Sequence, residues 1–181
     1  LKDERVKSFG ELYIANWLFT NGIKYLYEAK YTHNVATIER KQYQPDFFLP
    51  ELNIYIEYYG VDEDGNTAPY VNNEEYLQGI KWKRDIHNKF NTECLEFTYA
   101  QHKNGQLLNT LTTLLTERQV KVEKLTDNEI LAILNESGRI TVLAKIFAQL
   151  VGLYKAACLD RTLEKQVIVN STDPKQTEKA L

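Results

Sequence analysis

Two carboxylates could do chemistry, because each lies in a short, strongly apolar segment where a charge is costly. Asp46 lies between Pro45 and Phe47, and Glu57 follows eleven residues later among isoleucines and tyrosines. A carboxylate in such surroundings needs a compensating partner, and oxygen ligands from two neighbouring strands suit Mg²⁺ or Mn²⁺ rather than zinc. The alternative is that Asp46 caps a turn and that Glu57 lies on the surface of a half-exposed sheet.

A basic segment downstream supplies possible partners for these carboxylates. The residues from 74 to 88 predict a helix, and at about 100° per residue Lys83 and His87 fall within its apolar face, with Arg84 on the edge. Cations that face inward need an anion, either the two carboxylates or a nucleic-acid phosphate. The alternative is that Lys83 reaches water along its aliphatic stem and that His87 is a hydrogen-bonded core residue. Three charged residues fall on the opposite side of the helix: Lys81, Asp85 and Lys89.

Glu11 is a third candidate carboxylate, although its position suggests a structural role. Ser8 and Glu11 have the spacing of a capping box, in which the two side chains bond to the backbone at the start of a helix. The following residues are apolar on nearly all sides, so we expect a buried helix that ends at Asn21 and Gly22.

An α/β core is expected to position these residues. Alternation along the strand at 53–60 places Glu57 on the same face as Tyr55 and Tyr59, so we expect it to point into a cleft or a half-buried edge. The predicted order is helix, strand, strand, strand, helix, strand, helix, with strands at 23–31, 43–50, 53–60 and 94–99 and with later helices at 74–88 and 106–118.

The composition changes near Val120, and only helices are predicted beyond it. Thr126 and Glu129 have the spacing of a second capping box, and Gly138 is expected to end that helix. A helical apolar period follows over 140–154, and a further helix is expected at 163–169. We therefore expect one domain at 1–120 and a helical segment at 121–181.

Overall composition sets limits on the class of protein. The 181 residues carry 22 Lys+Arg and 25 Asp+Glu, a net charge of -3, which excludes a uniformly basic nucleic-acid coat but permits a local basic patch. Cys94 and Cys158 form no CxxC pair, so neither a zinc site nor a disulfide framework is expected. No apolar run reaches the roughly 18 residues of a membrane span. The chain contains no Met, so we expect it to be an excerpt of a longer protein.

Several stretches resemble a known family. Glu11 on a helix, Pro45 and Asp46 on one strand and Glu57 on the next resemble the core of the PD-(D/E)xK nuclease superfamily over residues 5–118. The strings YQPDFFLPELNIYIEYYG and GIKWKRDIH are similar to the nuclease-like insert of UvrD/Rep-type superfamily 1 DNA helicases. The later string LAKIFAQLVGLYKA is similar to the segment that returns to the helicase body. The resemblance implies a restriction-endonuclease-like core, with a central mixed sheet flanked by helices, followed by a small helical segment.

The same resemblance implies a set of metal ligands. Asp46 and Glu57 would be the acidic pair that binds Mg²⁺ or Mn²⁺, and Glu11 would complete the site. The backbone carbonyl of Tyr58 would be a further ligand.

This chain departs from the superfamily motif at one position. The motif has Lys two residues after the Glu, where this chain has Tyr59, and a phenol cannot supply a positive charge near neutral pH. Some members of the superfamily take the Lys from the following helix. We therefore nominate Lys83 as the catalytic cation, with Lys81 in reserve.

Three functions remain open from the sequence. The first is a metal-dependent nuclease, and the second is an inactive module that guides DNA through phosphate contacts and base stacking. The third is a spacer that touches no DNA.

No GxxxxGK[ST] loop occurs, so ATP would bind only in the missing helicase domains. The expected partners are DNA and the rest of a cytoplasmic DNA-repair helicase, with no membrane. The expected DNA contacts are Lys81, Trp82, Lys83, Arg84, His87 and Lys89.

Overall fold

The computed structural model describes residues 5–136 and 138–157. The predicted order of helices and strands is confirmed, with one short helix added after the last strand. Cys158 and the helix expected at 163–169 lie outside the described residues. The elements within the described residues are α1 (Phe9–Thr20), β1 (Leu26–Tyr27), β2 (Phe47–Leu49), β3 (Ile54–Tyr59), α2 (Asn73–Phe90), β4 (Glu93–Thr98), α3 (Tyr99–Lys103), α4 (Leu107–Glu117), α5 (Asp127–Glu136) and α6 (Arg139–Ala157).

The strands form one mixed sheet in the order β1-β2-β3-β4. Antiparallel pairing joins β1 to β2 and β2 to β3, whereas β3 and β4 are parallel. A parallel pair requires a crossover connection, and α2 lies in that connection. The expectation of an α/β core with a mixed sheet flanked by helices is therefore confirmed.

The first strand is much shorter than predicted. Only Leu26–Tyr27 pairs as a strand, whereas the sequence indicated 23–31. Glu28 has a φ of 48°, a left-handed conformation that interrupts extended backbone. The chain nevertheless stays beside its neighbour, because the N–H of Glu28 donates to the carbonyl of Asp46 at 3.0 Å and that of Tyr31 to Tyr43 at 2.9 Å.

The first helix is buried on one face rather than on all sides. Phe9 is 77% exposed and Tyr13 is 50% exposed, whereas Ile14 is fully buried. The buried face lies directly on the sheet, since a Cβ at Gly10 would stand 2.0 Å from the ring of Tyr58. The absence of a side chain at Gly10 thus permits close contact between α1 and β3.

The central strand β3 is buried on both faces. Tyr55 packs in a cluster with Tyr43 and Ile86 on the α2 side, whereas Tyr58 packs against α1. The predicted alternation is confirmed, but all six residues of β3 are buried. The interpretation of Glu57 as a surface residue is wrong, and so is its placement at a half-buried edge, because the residue is 0% exposed.

The chain divides into two compact units, the second of which begins at Thr126. The boundary falls a few residues beyond the expected one, because Leu125 donates a backbone hydrogen bond to Thr20 at 2.7 Å and thereby joins the first unit. The predicted capping box is confirmed: Thr126 Oγ1 lies 2.8 Å from Glu129 Oε2, and the backbone N–H of each residue bonds to the other's side chain.

The second unit exposes three of the apolar residues that its helical period predicted. Ile146, Phe147 and Leu150 are between 48% and 64% exposed. No helix in the described part of the chain has the length and apolar character needed to cross a membrane.

Candidate functional site

Glu57 occupies the centre of the candidate site. Its side chain is 0% exposed, and both of its oxygens accept hydrogen bonds. Oε2 lies 2.6 Å from Nζ of Lys83, and Oε1 accepts a bond from the hydroxyl of Tyr43 at 2.6 Å. Burial raises the pKa of Glu57, and the bonds to Lys83 and Tyr43 oppose that rise.

Asp46 lies immediately before β2 and beside Glu57 across the sheet. Phe47 pairs with Ile56 in the antiparallel register, so the preceding residue, Asp46, lies opposite Glu57. Its Oδ2 accepts the backbone N–H of Tyr58 at 2.7 Å, so it does not cap a turn. Burial, and then the charge of Glu57, raise the pKa of Asp46 to about 8. A proton or a cation is therefore needed to stabilise this carboxyl group at neutral pH.

Glu11 faces the sheet from α1 and is held by local contacts. The residue is 5% exposed; its carboxylate accepts a bond from Ser8 Oγ at 2.7 Å and from the Tyr27 hydroxyl at 2.6 Å. The expected capping box is altered, because the backbone N–H bonded to Glu11 belongs to Lys7. The charge of Glu11 is the smallest of the named contributions that raise the pKa of Asp46.

Lys83 reaches Glu57 from α2, as its helical position predicted. Its Nζ lies 5.3 Å from the ring centre of Tyr59 and 5.8 Å from that of Tyr43. Burial disfavours its charge, but the carboxylates of Glu57 and Asp46 outweigh burial and raise the pKa of Lys83. Lys83 therefore carries a positive charge beside Tyr59 at neutral pH.

The other predicted basic residues do not join this cluster. Lys81 and Lys89 are exposed on the opposite side of α2, which fits their place on the helical projection. Arg84 forms a two-pronged contact with Glu96, its Nε and Nη2 both donating within 2.9 Å. The reserve position of Lys81 as a catalytic cation has no geometric support, because this side chain faces away from Glu57.

Two expected DNA contacts are engaged within the protein. His87 is 6% exposed, and its ring nitrogens contact the hydroxyls of Tyr43 and Thr92, so it is the hydrogen-bonded core residue that the sequence left as an alternative. Trp82 is partly buried against Tyr43. The guanidinium carbon of Arg40 lies over its ring, 4.7 Å from the ring centre. His87 is therefore closed to DNA, whereas Trp82 remains partly accessible.

A cavity of about 540 Å³ opens beside Lys83. The loop after β1 contributes Glu39 and Arg40 to its wall, and α2 contributes Glu75 and Tyr76. This cavity gives solvent access to the Lys83 side of the buried pair. Arg40 was missed by sequence reasoning, because it lies in an irregular loop without a periodic pattern.

The donor atoms fit a hard divalent cation. Asp46 and Glu57 offer carboxylate oxygens, which Mg²⁺ and Mn²⁺ prefer. A bound cation would also stabilise the ionised form of Asp46, which burial and the charge of Glu57 disfavour. Among the described residues, no three His, Cys, Asp or Glu side chains gather into a metal-binding group. The metal-ligand roles of all four groups stay predictions: Asp46, Glu57, Glu11 and the Tyr58 carbonyl.

Comparisons with models of protein families, with characterised proteins and with solved structures find no match to this chain.

Proposed function

We propose that residues 5–118 form a restriction-endonuclease-like domain that hydrolyses DNA phosphodiesters with a divalent metal. The observation that carries this proposal is the contact between Lys83 Nζ and Glu57 Oε2, at 2.6 Å. It supplies a cation where Tyr59 interrupts the superfamily motif, and Asp46 on the adjacent strand supplies the second carboxylate. We further propose that this domain is part of a DNA helicase. This part of the proposal rests only on the resemblance of the longer sequence stretches to helicase inserts.

Asp46 and Glu57 would hold the metal, with Glu11 and the Tyr58 carbonyl as additional oxygen donors. Bound there, Mg²⁺ or Mn²⁺ supplies Lewis-acid chemistry, polarising the phosphodiester and lowering the pKa of a water molecule. Lys83 stabilises the negative charge that develops on the phosphate oxygens. Burial of these groups strengthens each electrostatic interaction relative to water.

The parent protein of this proposal is a cytoplasmic ATP-dependent DNA helicase of the UvrD/Rep type. ATP would bind in helicase domains outside this chain, and those domains would supply the DNA strand. The second unit, beginning at Thr126, would belong to the helicase body.

A cleavage assay tests the nuclease. Labelled single-stranded, duplex and forked DNA is incubated with the chain in Mg²⁺, in Mn²⁺ and in EDTA. We expect cutting that depends on metal and is lost in Asp46→Asn and Lys83→Ala. Lys81→Ala is the matched control, because it removes a lysine from the exposed side of the same helix; at saturating DNA it should keep metal-dependent cutting, even if DNA binding is weaker. Metal-dependent cutting that survives in Lys83→Ala would remove this residue from the chemistry.

A second candidate function is an inactive module that guides DNA. The observation in its favour is that both oxygens of Glu57 already have protein partners, Lys83 and Tyr43. Phosphates would then contact Lys81, Lys83 and Lys89, and a base would stack on Trp82. Salt-sensitive DNA binding without cleavage in any metal would support this module in place of the nuclease.

A further inference from the structure

A continuous line of buried and partly buried hydrogen bonds leads from the loop after β1 to the candidate site. The Tyr31 hydroxyl lies 2.5 Å from Thr92 Oγ1, which lies 2.8 Å from Nδ1 of His87. Nε2 of His87 lies 3.1 Å from the Tyr43 hydroxyl, which donates to Glu57 Oε1 at 2.6 Å. We call these five side chains the polar network.

The direction of every bond in the polar network follows from the number of protons available. Glu57 accepts from Lys83 as a carboxylate, so the single proton of Tyr43 is used in the bond to Oε1. The Tyr43 oxygen can then only accept from His87, which requires a proton on Nε2. Burial lowers the pKa of His87 to about 4, so the ring is neutral near pH 7 and Nδ1 carries no proton.

The remaining two bonds are then determined. Because Nδ1 of His87 is an acceptor, Thr92 must donate its hydroxyl proton to it. Thr92 has no further proton, so it accepts from the Tyr31 hydroxyl. Every donor in the polar network therefore points toward Glu57, and none points away from it.

We propose that Tyr43 and His87 are positioning residues that hold Glu57 Oε1 in place, with His87 fixed as the Nε2–H tautomer. Tyr43 holds one oxygen while Lys83 contacts the other, so the carboxylate cannot rotate freely. His87 in turn holds the Tyr43 hydroxyl in its donating orientation. The catalytic consequence of this arrangement rests on the proposed nuclease function, whereas the tautomer and the bond directions do not.

The tautomer is measured first, in the intact chain and without any substitution. Long-range ¹H–¹⁵N NMR correlations at pH 7 separate the protonated ring nitrogen from the unprotonated one. We expect protonated Nε2 and unprotonated Nδ1 at His87. A proton on Nδ1 would reverse the bond to Thr92 and overturn the proposal.

Two substitutions that each remove one hydroxyl from the same cluster then show whether the His87 tautomer depends on the Tyr43 hydrogen bond or only on the packing of the cluster. Tyr43→Phe removes the acceptor of the Nε2 proton, so we expect the His87 signals to shift toward the Nδ1–H form. Tyr55→Phe removes a hydroxyl that bonds to Thr32 at 2.9 Å and lies outside the polar network, so the Nε2–H form should persist. Equal responses to both substitutions would show that general loosening of the cluster is responsible. If Tyr43→Phe does not fold, Thr92→Val carries the test, because loss of that donor should leave the Nε2–H form in place.

Cleavage kinetics supply the functional part of the test. Outer-shell partners of metal ligands typically contribute about 10- to 100-fold to metal affinity or activity. We expect Tyr43→Phe to raise the Mn²⁺ concentration for half-maximal cutting by about 10-fold or more, with the KM for DNA little changed. A wild-type metal dependence in Tyr43→Phe would overturn the positioning role. If the wild-type chain does not cut at all, the nuclease proposal fails, but the tautomer measurement still decides the bond directions.

Discussion

A fully buried glutamate is tolerated here because two donors compensate its charge. Lys83 and Tyr43 contact separate oxygens of Glu57 at 2.6 Å. Removing one partner of a buried ion pair leaves an uncompensated charge, which costs more than the pair itself contributes. The candidate site is therefore also a determinant of stability.

Loss of Lys83 should destabilise the protein more than loss of its exposed neighbour. The Lys83 side chain keeps 29% exposure, so we expect Lys83→Ala to lower the free energy of unfolding by about 2–3 kcal/mol, somewhat less than the roughly 3–5 kcal/mol for a fully buried pair. Lys81→Ala should change it by less than about 0.5 kcal/mol. Urea denaturation at pH 7 measures both, and equal losses would contradict the buried pair.

Asp46 should make stability depend on pH in an unusual direction. Its pKa is raised to about 8, so between about pH 4 and pH 8 the folded state holds a proton that the unfolded state releases. The free energy of unfolding should therefore fall as pH rises through this window.

Asp46→Asn tests this prediction, because the amide is neutral at every pH and its oxygen can still accept from the Tyr58 N–H. Solvent reaches part of Asp46, so we expect the variant to be about 1–2 kcal/mol more stable than wild type near pH 9. Metal-free urea denaturation at pH 5, 7 and 9 provides the comparison. Parallel pH profiles for the two proteins would contradict the raised pKa.

Regular periodicity explains which site residues could be found from the sequence. Lys83 was predicted to face inward because it lies in a long helix, and Glu57 was placed with Tyr59 by strand alternation. Tyr43 was not found, since it precedes β2 in irregular backbone and bonds to a residue fourteen positions away. Contacts between irregular segments leave no periodic pattern in the sequence.

At the scale of elements, the contact between α1 and β3 depends on one missing side chain. Gly10 lies in the first turn of α1, directly over the ring of Tyr58. Ala favours a helix over Gly by about 1 kcal/mol, so helix propensity alone would select Ala at this position. Close packing therefore outweighs propensity at Gly10.

A pair of glycine substitutions separates these two effects. Gly10→Ala should destabilise the protein by about 1–3 kcal/mol, the usual cost of overpacking, because its Cβ would meet Tyr58. Gly79→Ala in α2 should stabilise by about 0.5–1 kcal/mol, because nothing lies within 4 Å of its Cβ position. Thermal unfolding of both variants is the measurement; a stabilising Gly10→Ala would contradict the close approach.

The elements that sequence reasoning misjudged are short or locally unusual. Strand propensity continued beyond Tyr27, but Glu28 adopts a left-handed conformation that no propensity scale foresees in a glutamate. The helix α3 spans five residues, too few to show a helical period. In contrast, β3 and α2 were predicted within about two residues at each end, because each has a strong pattern and clear boundaries.

At the scale of the whole molecule, the first unit depends on a short segment after its last helix. Leu125 bonds to Thr20 and lies against Gly22, its Cδ2 being 3.5 Å from the position of a Cβ there. The sequence placed the boundary near Val120 from a change in composition. Composition does not reveal a backbone hydrogen bond between distant residues, so nothing in it indicated that Leu125 belongs to the first unit. The structure thus assigns residues 121–125 to the first unit.

Two fragments test this boundary. We expect a fragment of residues 1–125 to unfold at a temperature about 3–8 °C higher than one of residues 1–120, as loss of about 1 kcal/mol would produce. Leu125→Ala in the longer fragment should reproduce part of the difference. Calorimetry of the three proteins is the measurement, and identical transitions would place residues 121–125 outside the folded unit.

The parallel pairing of β3 with β4 has a consequence for the order of folding. Ile54 pairs with Glu93, so a long connection that includes α2 must close before this pairing forms, and such contacts form slowly. Glu57 therefore loses its water only after the crossover has brought α2 and Lys83 over the sheet. The ion pair then belongs to the last part of the folding reaction, and its loss should accelerate unfolding more than it slows folding. Chevron analysis of Lys83→Ala should show a faster unfolding rate and a folding rate that changes less. The ion pair would then determine how long a folded molecule persists before it unfolds.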